Sequence, residues 1–501
     1  MTGNLFSMAL AVLTALETSP NTLPRSVATP TWSTDVAPIL YKHCVPCHRP
    51  GEVGPFSLIS YNDSKKRSRF INELVATNRM PPWKPELGHA SFKDEMRLSD
   101  KEKETLALWV AGGAPEGDTK DLPVLPPKAN GWKLGNPDLV ITLPKPFDIP
   151  AEGKDIYQCF VIPLNLLKDE GVVAVDFQPG NKKVVHHAIM FLDHNGQARR
   201  KADPKTSSYA SFGGPGYIPT GSIGAWAPGA RPAFLPEGTA RFLKKGSDLV
   251  LQIHYHPSGK PETDQSKVGI YFAKKTPEHF VGAVALRSRA LVIPSGDSKY
   301  TVETKTVPLP VDATALGIFP HMHYIGREIK VDAKLPDGKE IPLIWIRDWD
   351  FNWQGAYNYK KPIELPKGTV LKLRATYDNS TANPRNPSNP PREVTWGEQT
   401  TDEMCLCGVQ VITKSRDDMK QIMRMPGGII GLILGGGGVP ETPEEIAENT
   451  KNRGKRMVET LLGEFDMDGD GLISKEELKR FPPENRDRAV LFLRVMGKMK
   501  D

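Results

Sequence analysis

The residues best suited to chemistry in this 501-residue chain are histidines placed singly or in close pairs within apolar runs. In Gly317-Ile318-Phe319-Pro320-His321-Met322-His323-Tyr324 two of them stand two residues apart. Side chains two apart on a strand share a face, so His321 and His323 can offer two imidazoles to one ion. The run Val184–Phe191 holds the adjacent pair His186-His187, and Leu249–Tyr255 holds His254. Thr401-Asp402-Glu403-Met404-Cys405 adds a thioether at Met404. Buried polar rings need partners, and a metal ion is one that several rings can share. A thioether with two imidazoles suits Cu(I). Adjacent histidines on a regular strand point apart, so His186 and His187 reach one ion only where the strand ends or bulges, or through different ring nitrogens. His256 shares a face with His254 and competes with it. Pro257 marks the strand as ending there, so His254 is the expected ligand.

Two further motifs carry other groups. Cys44-Val45-Pro46-Cys47-His48 is the attachment pattern of a c-type haem. Cys44 and Cys47 would take the thioether bonds and His48 would ligate the iron. Met80, in Asn78-Arg79-Met80-Pro81-Pro82, offers a second axial ligand, and a thioether there raises the haem potential. Residues 466–477 read as an EF-hand loop, with calcium oxygens from Asp466, Asp468, Asp470, the Leu472 carbonyl, Ser474 and Glu477, and a turn glycine at Gly471. The sequence shows no second such loop, so this one binds weakly or pairs with another chain.

The H-H, L-Q-I-H-Y, H-x-H and D-E-M-C elements, in that order across residues 130–415, resemble the copper type II, ascorbate-dependent monooxygenases. Peptidylglycine α-hydroxylating monooxygenase and dopamine β-monooxygenase belong to that family. The resemblance implies two jelly-roll-like β-sandwich domains with one copper in each, two per chain. His186, His187 and His254 would hold the electron-transfer copper. His321, His323 and Met404 would hold the catalytic copper that meets O2 and substrate. Tyr157-Gln158-Cys159 also looks like the family, whose usual disulfides are mostly absent here. Peptide-hydroxylating relatives grip a substrate carboxylate at positions occupied here by Phe319, Leu406 and Gly408, none of which can do so. A non-peptide, less polar small-molecule substrate is therefore expected. Residues 32–118 resemble a small cytochrome c domain with Met80 as sixth ligand, fed by an external electron donor. An exported haem and copper protein for electron transfer or redox sensing, without hydroxylase activity, is the alternative.

Composition and order must position these groups. With 39% hydrophobic and 25% charged residues the chain is of the soluble globular type. Its net charge of +6 is spread out, so no nucleic-acid partner is expected. Residues 5–16 resemble the apolar core of a signal peptide without its basic start, which points to a periplasmic or secreted location. They are too short to span a bilayer, and no other run is long enough. The expected architecture is multidomain: a leader over 1–31, an α-helical cytochrome c-like domain over 32–118, a Pro-rich linker over 119–135, copper sandwiches over 136–285 and 286–415, a Gly-rich linker over 416–442, and an α-helical EF-hand segment over 443–501. Helices are expected over 35–43, over 63–78 with Phe70, Leu74 and Val75 on one side, and behind the Ser99–Glu102 capping box. Strands are expected over 138–143, 155–162, 172–177, 184–192, 248–256, 268–272 and 370–377. His43 and His89 read as surface residues. The cysteine count, five, is odd, so one thiol stays free if the others pair.

Overall fold

The computed structural model describes residues 29–426 and 453–500, apart from 53, 128–130, 212–213, 218, 228–229, 398 and 482. The leader segment up to residue 28, the Gly-rich stretch from 427 and the start of the C-terminal helical pattern lie outside the described residues. The chain forms two compact units. One comprises the residues up to 49 with 56–77 and 98–125; the other comprises 50–55, 78–97 and everything from 126 onward.

The first unit is helical. Its core joins Trp32, Leu40, Ile71, Val75, Leu106 and Trp109, all buried. The helix Asp100–Ala111 starts at a full capping box, in which Ser99 and Glu102 satisfy each other's backbone N–H groups. That geometry also brings the Glu102 carboxylate to 3.0 Å from His43 Nε2, so His43 is covered rather than exposed, with a side chain 6% accessible. The stretch expected as one helix over 63–78 is two, Tyr61–Lys66 and Ser68–Ala76, broken at Arg67. Ile71 and Val75, one turn apart, face the core, while Phe70 points outward at 49% exposure.

Residues 78–97 depart from the expected 32–118 domain. Their backbone pairs with the β-body instead: the Glu86 N–H donates to the Trp345 carbonyl (2.7 Å), and that of Lys93 to the Asn358 carbonyl (2.7 Å). Phe92 is buried in the same body, stacked on Tyr359 at 5.4 Å. His89 packs edge-on against Trp345 at 4.5 Å, so it too is partly covered. Met80 belongs to this segment, outside the unit that holds Cys44, Cys47 and His48.

The second unit is mostly β-sheet. A five-stranded sheet (Leu139–Thr142, Lys267–Phe272, Glu170–Gln178, Thr239–Leu243, His279–Phe280) and a second one (Ser208–Ala210, Ile156–Pro163, Asp248–Tyr255, Val185–Asp193, Gly221–Trp226) share a core that includes Phe177, Ile270, Met190 and Leu251. Two four-stranded sheets follow: Gly282–Ser288, Cys405–Ile412, Ala313–His321 and Tyr357–Leu365, and Tyr300–Lys305, Val370–Tyr377, Gly326–Lys334 and Glu340–Ile346. They share a core around Ile318, Val331, Leu373 and Val409. The change of sheet pair falls between Phe280 and Gly282, slightly before the expected boundary at residue 286. The helix Arg416–Met423, expected as part of a linker, buries Met419 and Ile422 in this second core. Gly282 makes room for it, since a Cβ there would stand 2.3 Å from Met419 Sδ.

The C-terminal segment has helices Arg453–Phe465, Lys475–Leu478 and Pro483–Val495 around the 466–477 loop. Phe465, Ile473, Leu478, Phe481 and Leu493 bury together with Ala290 of the β-body. No helix among the described residues is long and apolar enough to cross a membrane. None of the five cysteines is disulfide-bonded. Cys405 and Cys407 lie two apart on one strand, and burial pushes the Cys405 thiol up to about 12.

Candidate metal centres

The Val185–Asp193 strand pairs with Asp248–Tyr255 so that His187 stands opposite His254. The register shifts between Val185 and His187, which makes His186 the extra residue of a bulge. This is the irregularity that lets neighbouring histidines turn to one side. His187 Nδ1 lies 3.3 Å from His186 Nδ1 and 3.3 Å from His254 Nδ1. All three rings offer a nitrogen within 4.8 Å of the others. Two nitrogens each about 2.0–2.1 Å from one ion in a near-tetrahedral arrangement stand roughly 3.3 Å apart, so the trio fits a single metal ion. Burial, then the neighbouring His254, pulls His186 down to about 4, and burial pulls His187 well below its ordinary value. Neutral rings present lone pairs, as ligands must.

His254 is braced from two sides. Tyr157, its cross-strand partner, stacks on it at 4.2 Å and 10°. Asp155 Oδ2 approaches His254 Nε2 at 2.9 Å, but off the line of a hydrogen bond, since both atoms lack an aligned partner. His256 lies outside the trio: its side chain is 67% exposed and its Nδ1 meets Asp155 Oδ1 at 2.7 Å.

His321 ends the Ala313–His321 strand, opposite Leu406. The pairing ends there, and His323 and Met404, just beyond its two ends, line the same cavity. His321 Nδ1 meets Gln354 Oε1, and His323 Nδ1 meets the Asp402 carbonyl at 3.1 Å. With both Nδ1–H groups donating, the Nε2 lone pairs remain for an ion. Burial, then the His321 ring, pulls His323 down to about 3, and burial also lowers His321. Glu403 holds this corner. Its Oε2 accepts the His323 and Met404 N–H groups (2.8 and 3.1 Å), and its Oε1 those of Ile325 and Gly326 (2.9 and 3.2 Å). Burial pushes its carboxyl up to about 8 against these donors. Four N–H groups leave no acceptor for a carboxyl proton, so the geometry is that of a carboxylate. Tyr377 donates to the Met404 carbonyl at 2.8 Å and fixes the backbone beneath the thioether.

Members of both sets, His186 and His187 of the first and His321, His323 and Met404 of the second, line one cavity of about 390 Å³. Phe351 stands between them, stacked on His186 at 5.2 Å and edge-on to His323 at 5.5 Å. Sequence reading missed Asp155, Phe351, Gln354 and the clamp role of Glu403. Only Glu403 left a sequence signal, a charged residue next to Met404 at the head of an apolar strand.

In the helical unit, the Cys47 and His48 N–H groups donate to the Cys44 carbonyl (3.1 and 2.8 Å) in a tight turn after the helix Ala37–His43. His48 Nδ1 meets the Phe56 carbonyl at 3.2 Å, which leaves Nε2 for an axial bond. Met80 has no place in this unit.

In the 466–477 loop, the Asp466, Asp468 and Asp470 carboxylates lie within 4.8 Å of one another. Asp466 accepts the Gly469, Asp470 and Gly471 N–H groups, and the Leu472 N–H donates to Asp470. Ser474 and Glu477 form a capping box for the exit helix. Ile473 bridges to Met499, donating to the Lys498 carbonyl and accepting from the Lys500 N–H. The backbone edge that a second loop could use is thus taken by this chain's own C-terminal segment. Glu464, just before the loop, pairs with Arg287 of the β-body.

Among known proteins, the EF-hand family matches residues 458–482. This match and the loop geometry suggest calcium binding. No curated protein matches the chain. Solved structures with some likeness include the major capsid protein P2 of bacteriophage PM2, at 8% identity and TM-score 0.22, covering 55% of this chain and 97% of that one. The PBSX exported protein XepA shows 9% identity and TM-score 0.14 over 48% and 86% of the two chains. Infectious bursal disease virus, Gt strain, shows 9% identity and TM-score 0.15 over 55% and 78%. Scores this low carry no argument about fold or function.

Two outcomes follow. Glu403→Gln puts an amide donor among backbone donors, and should destabilise the second sheet pair by about 2–4 kcal/mol in chemical denaturation; an unchanged midpoint would show that the clamp does not matter. Calcium should slow protease nicking across residues 453–500, because without it the Lys500 ammonium, which meets Asp468 and Asp470, is the one cation among the described residues shown to offset the repulsion of the three carboxylates; equal nicking in chelator would refute this.

Proposed function

We propose that the chain is a copper-dependent monooxygenase that hydroxylates a C–H bond of a small organic substrate. The observation that carries this reading is the convergence of an all-histidine trio and a two-histidine, one-thioether set on one cavity. The donor chemistry fits two inequivalent copper ions: His186, His187 and His254 would hold one, and His321, His323 and Met404 the other. When bound there, copper supplies the one-electron chemistry by which O2, two electrons and two protons turn C–H into C–OH, with the second oxygen leaving as water. The chain's part is to hold the five rings in place, to pin Met404 through Glu403 and Tyr377, and to present the substrate in a cavity walled by Phe319, Phe351 and Leu316. These apolar walls exclude water from the reacting bond.

Electrons would enter through a c-type haem on Cys44, Cys47 and His48, reduced by an external donor. The fused haem then replaces free ascorbate at high effective concentration. Support for it is the turn after Ala37–His43 and the His48–Phe56 hydrogen bond, which leaves Nε2 open. Met80 as the sixth ligand rests on the sequence pattern alone. The export signal read in residues 5–16 makes the location periplasmic or secreted.

Metal analysis of the purified chain should find two coppers and one haem. Met404→Ala should halve the copper content, lower substrate-linked O2 consumption by about 100-fold or more, and leave the haem spectrum unchanged. Unchanged copper and turnover would remove Met404 from the ligand set. Full metal content with no substrate-linked O2 consumption would favour the electron-transfer or redox-sensing reading.

A further inference from the structure

The cavity has a charge pattern that its metal ligands do not require. Among the described residues that line it there are five cations, Lys93, Arg231, Arg241, Arg287 and Arg289, and no aspartate or glutamate. Lys93 and Arg231 are exposed at the rim, Arg241 is buried, and Arg287 and Arg289 are half-buried. Arg287 lies near the end of the Gly282–Ser288 strand and Arg289 just past it, and both line the cavity.

Arg287 is balanced from behind. Glu464, which does not line the cavity, pairs with it, and both side chains are largely covered. Arg289 has no carboxylate partner among the described residues. Its guanidinium lies over the Trp396 ring at 4.6 Å, and Trp396 also lines the cavity. The Nε–H groups of Arg287 and Arg289 are both buried without an acceptor. A guanidinium carries five donors in a planar fork, and leaving them unmatched under cover is costly. A ring face offsets part of that cost but accepts none of the fork's in-plane N–H bonds.

We propose that the cavity binds an organic anion, an apolar body ending in a carboxylate, sulfonate or sulfate, with Arg289 as the anchor and Arg287 beside it. The inference rests on the hydroxylase reading only for the fate of the ligand, not for its binding. The anionic end would complete the guanidinium forks. The body would lie along Leu316, Phe319, Phe351 and Trp226, toward Met404. Lys93 and Arg231 at the rim would raise the local concentration of anions. This anchor follows the Gly282–Ser288 strand, whereas Phe319, Leu406 and Gly408, the positions that cannot grip a carboxylate, lie on two other strands. The substrate is then apolar along its body but charged at one end.

The test is calorimetric titration of the full chain with octanoate, octyl sulfate, octan-1-ol and octylamine, with and without copper. The two anions should bind at least about tenfold tighter than the alcohol, and the amine weakest. Raising salt should weaken anion binding and spare the alcohol. Arg289→Gln should bring the anions to the level of the alcohol while alcohol affinity stays unchanged. Should that variant not fold, the wild-type series still decides. Equal affinities, a preference for the amine, or no binding by either anion would overturn the proposal. Because binding is read without turnover, an anion that binds but never drives O2 consumption would overturn the hydroxylase reading alone.

Discussion

The rest of the second unit depends on keeping buried imidazoles uncharged. A cationic ring in a low-dielectric site is costly, so burial drives protons off rings that have no carboxylate close by. His186, His187, His321 and His323 are all pulled below the ordinary histidine range, with burial the largest cause in each. Neutral rings then need something to meet their lone pairs. The first trio turns three Nδ1 atoms on each other, whereas the second pair donates its Nδ1–H groups to Gln354 Oε1 and the Asp402 carbonyl and leaves its Nε2 lone pairs open. The two sites therefore present opposite faces of the imidazole, an asymmetry set by hydrogen bonding outside the ligands themselves.

Backbone irregularity supplies the aim. Regular strands would send His186 and His187 to opposite faces, and the bulge at His186 removes that conflict. At the other site the strand stops at His321, and Glu403 gathers three N–H groups of the segment beyond it together with that of Met404. Bulge and clamp both need rigid sheets around them, which the two cores provide. Phe351, on a short turn between strands, fills the gap between one ligand of each site.

Much of this was legible in the sequence, because strand and ligand patterns coincide. The strands expected over 155–162, 184–192, 248–256 and 370–377 match observed ones to within a residue, since their apolar alternation is set by burial on one or both faces. Side-chain period alone called for a strand end, a bulge or the use of different ring nitrogens at His186-His187, and the structure has the bulge. Long-range effects were not legible. Nothing local in residues 78–97 shows that their backbone will add to the β-body. Phe70 satisfied a helical stripe, but the break at Arg67 rotated the following helix and put Ile71 inward. His43 reads as exposed until the Ser99–Glu102 box brings a carboxylate to it. Arg289 stands past a strand end, and only the assembled cavity shows that its buried Nε–H has no acceptor.

The central claim is that two chemically different copper sites share one cavity. X-ray absorption on the reduced, copper-loaded chain tests it most directly. Imidazole scattering with a sulfur shell at half occupancy, averaged over both coppers, is the predicted result. A spectrum fitted by nitrogen and oxygen alone, or a chain that retains a single copper with no sulfur neighbour, would contradict it.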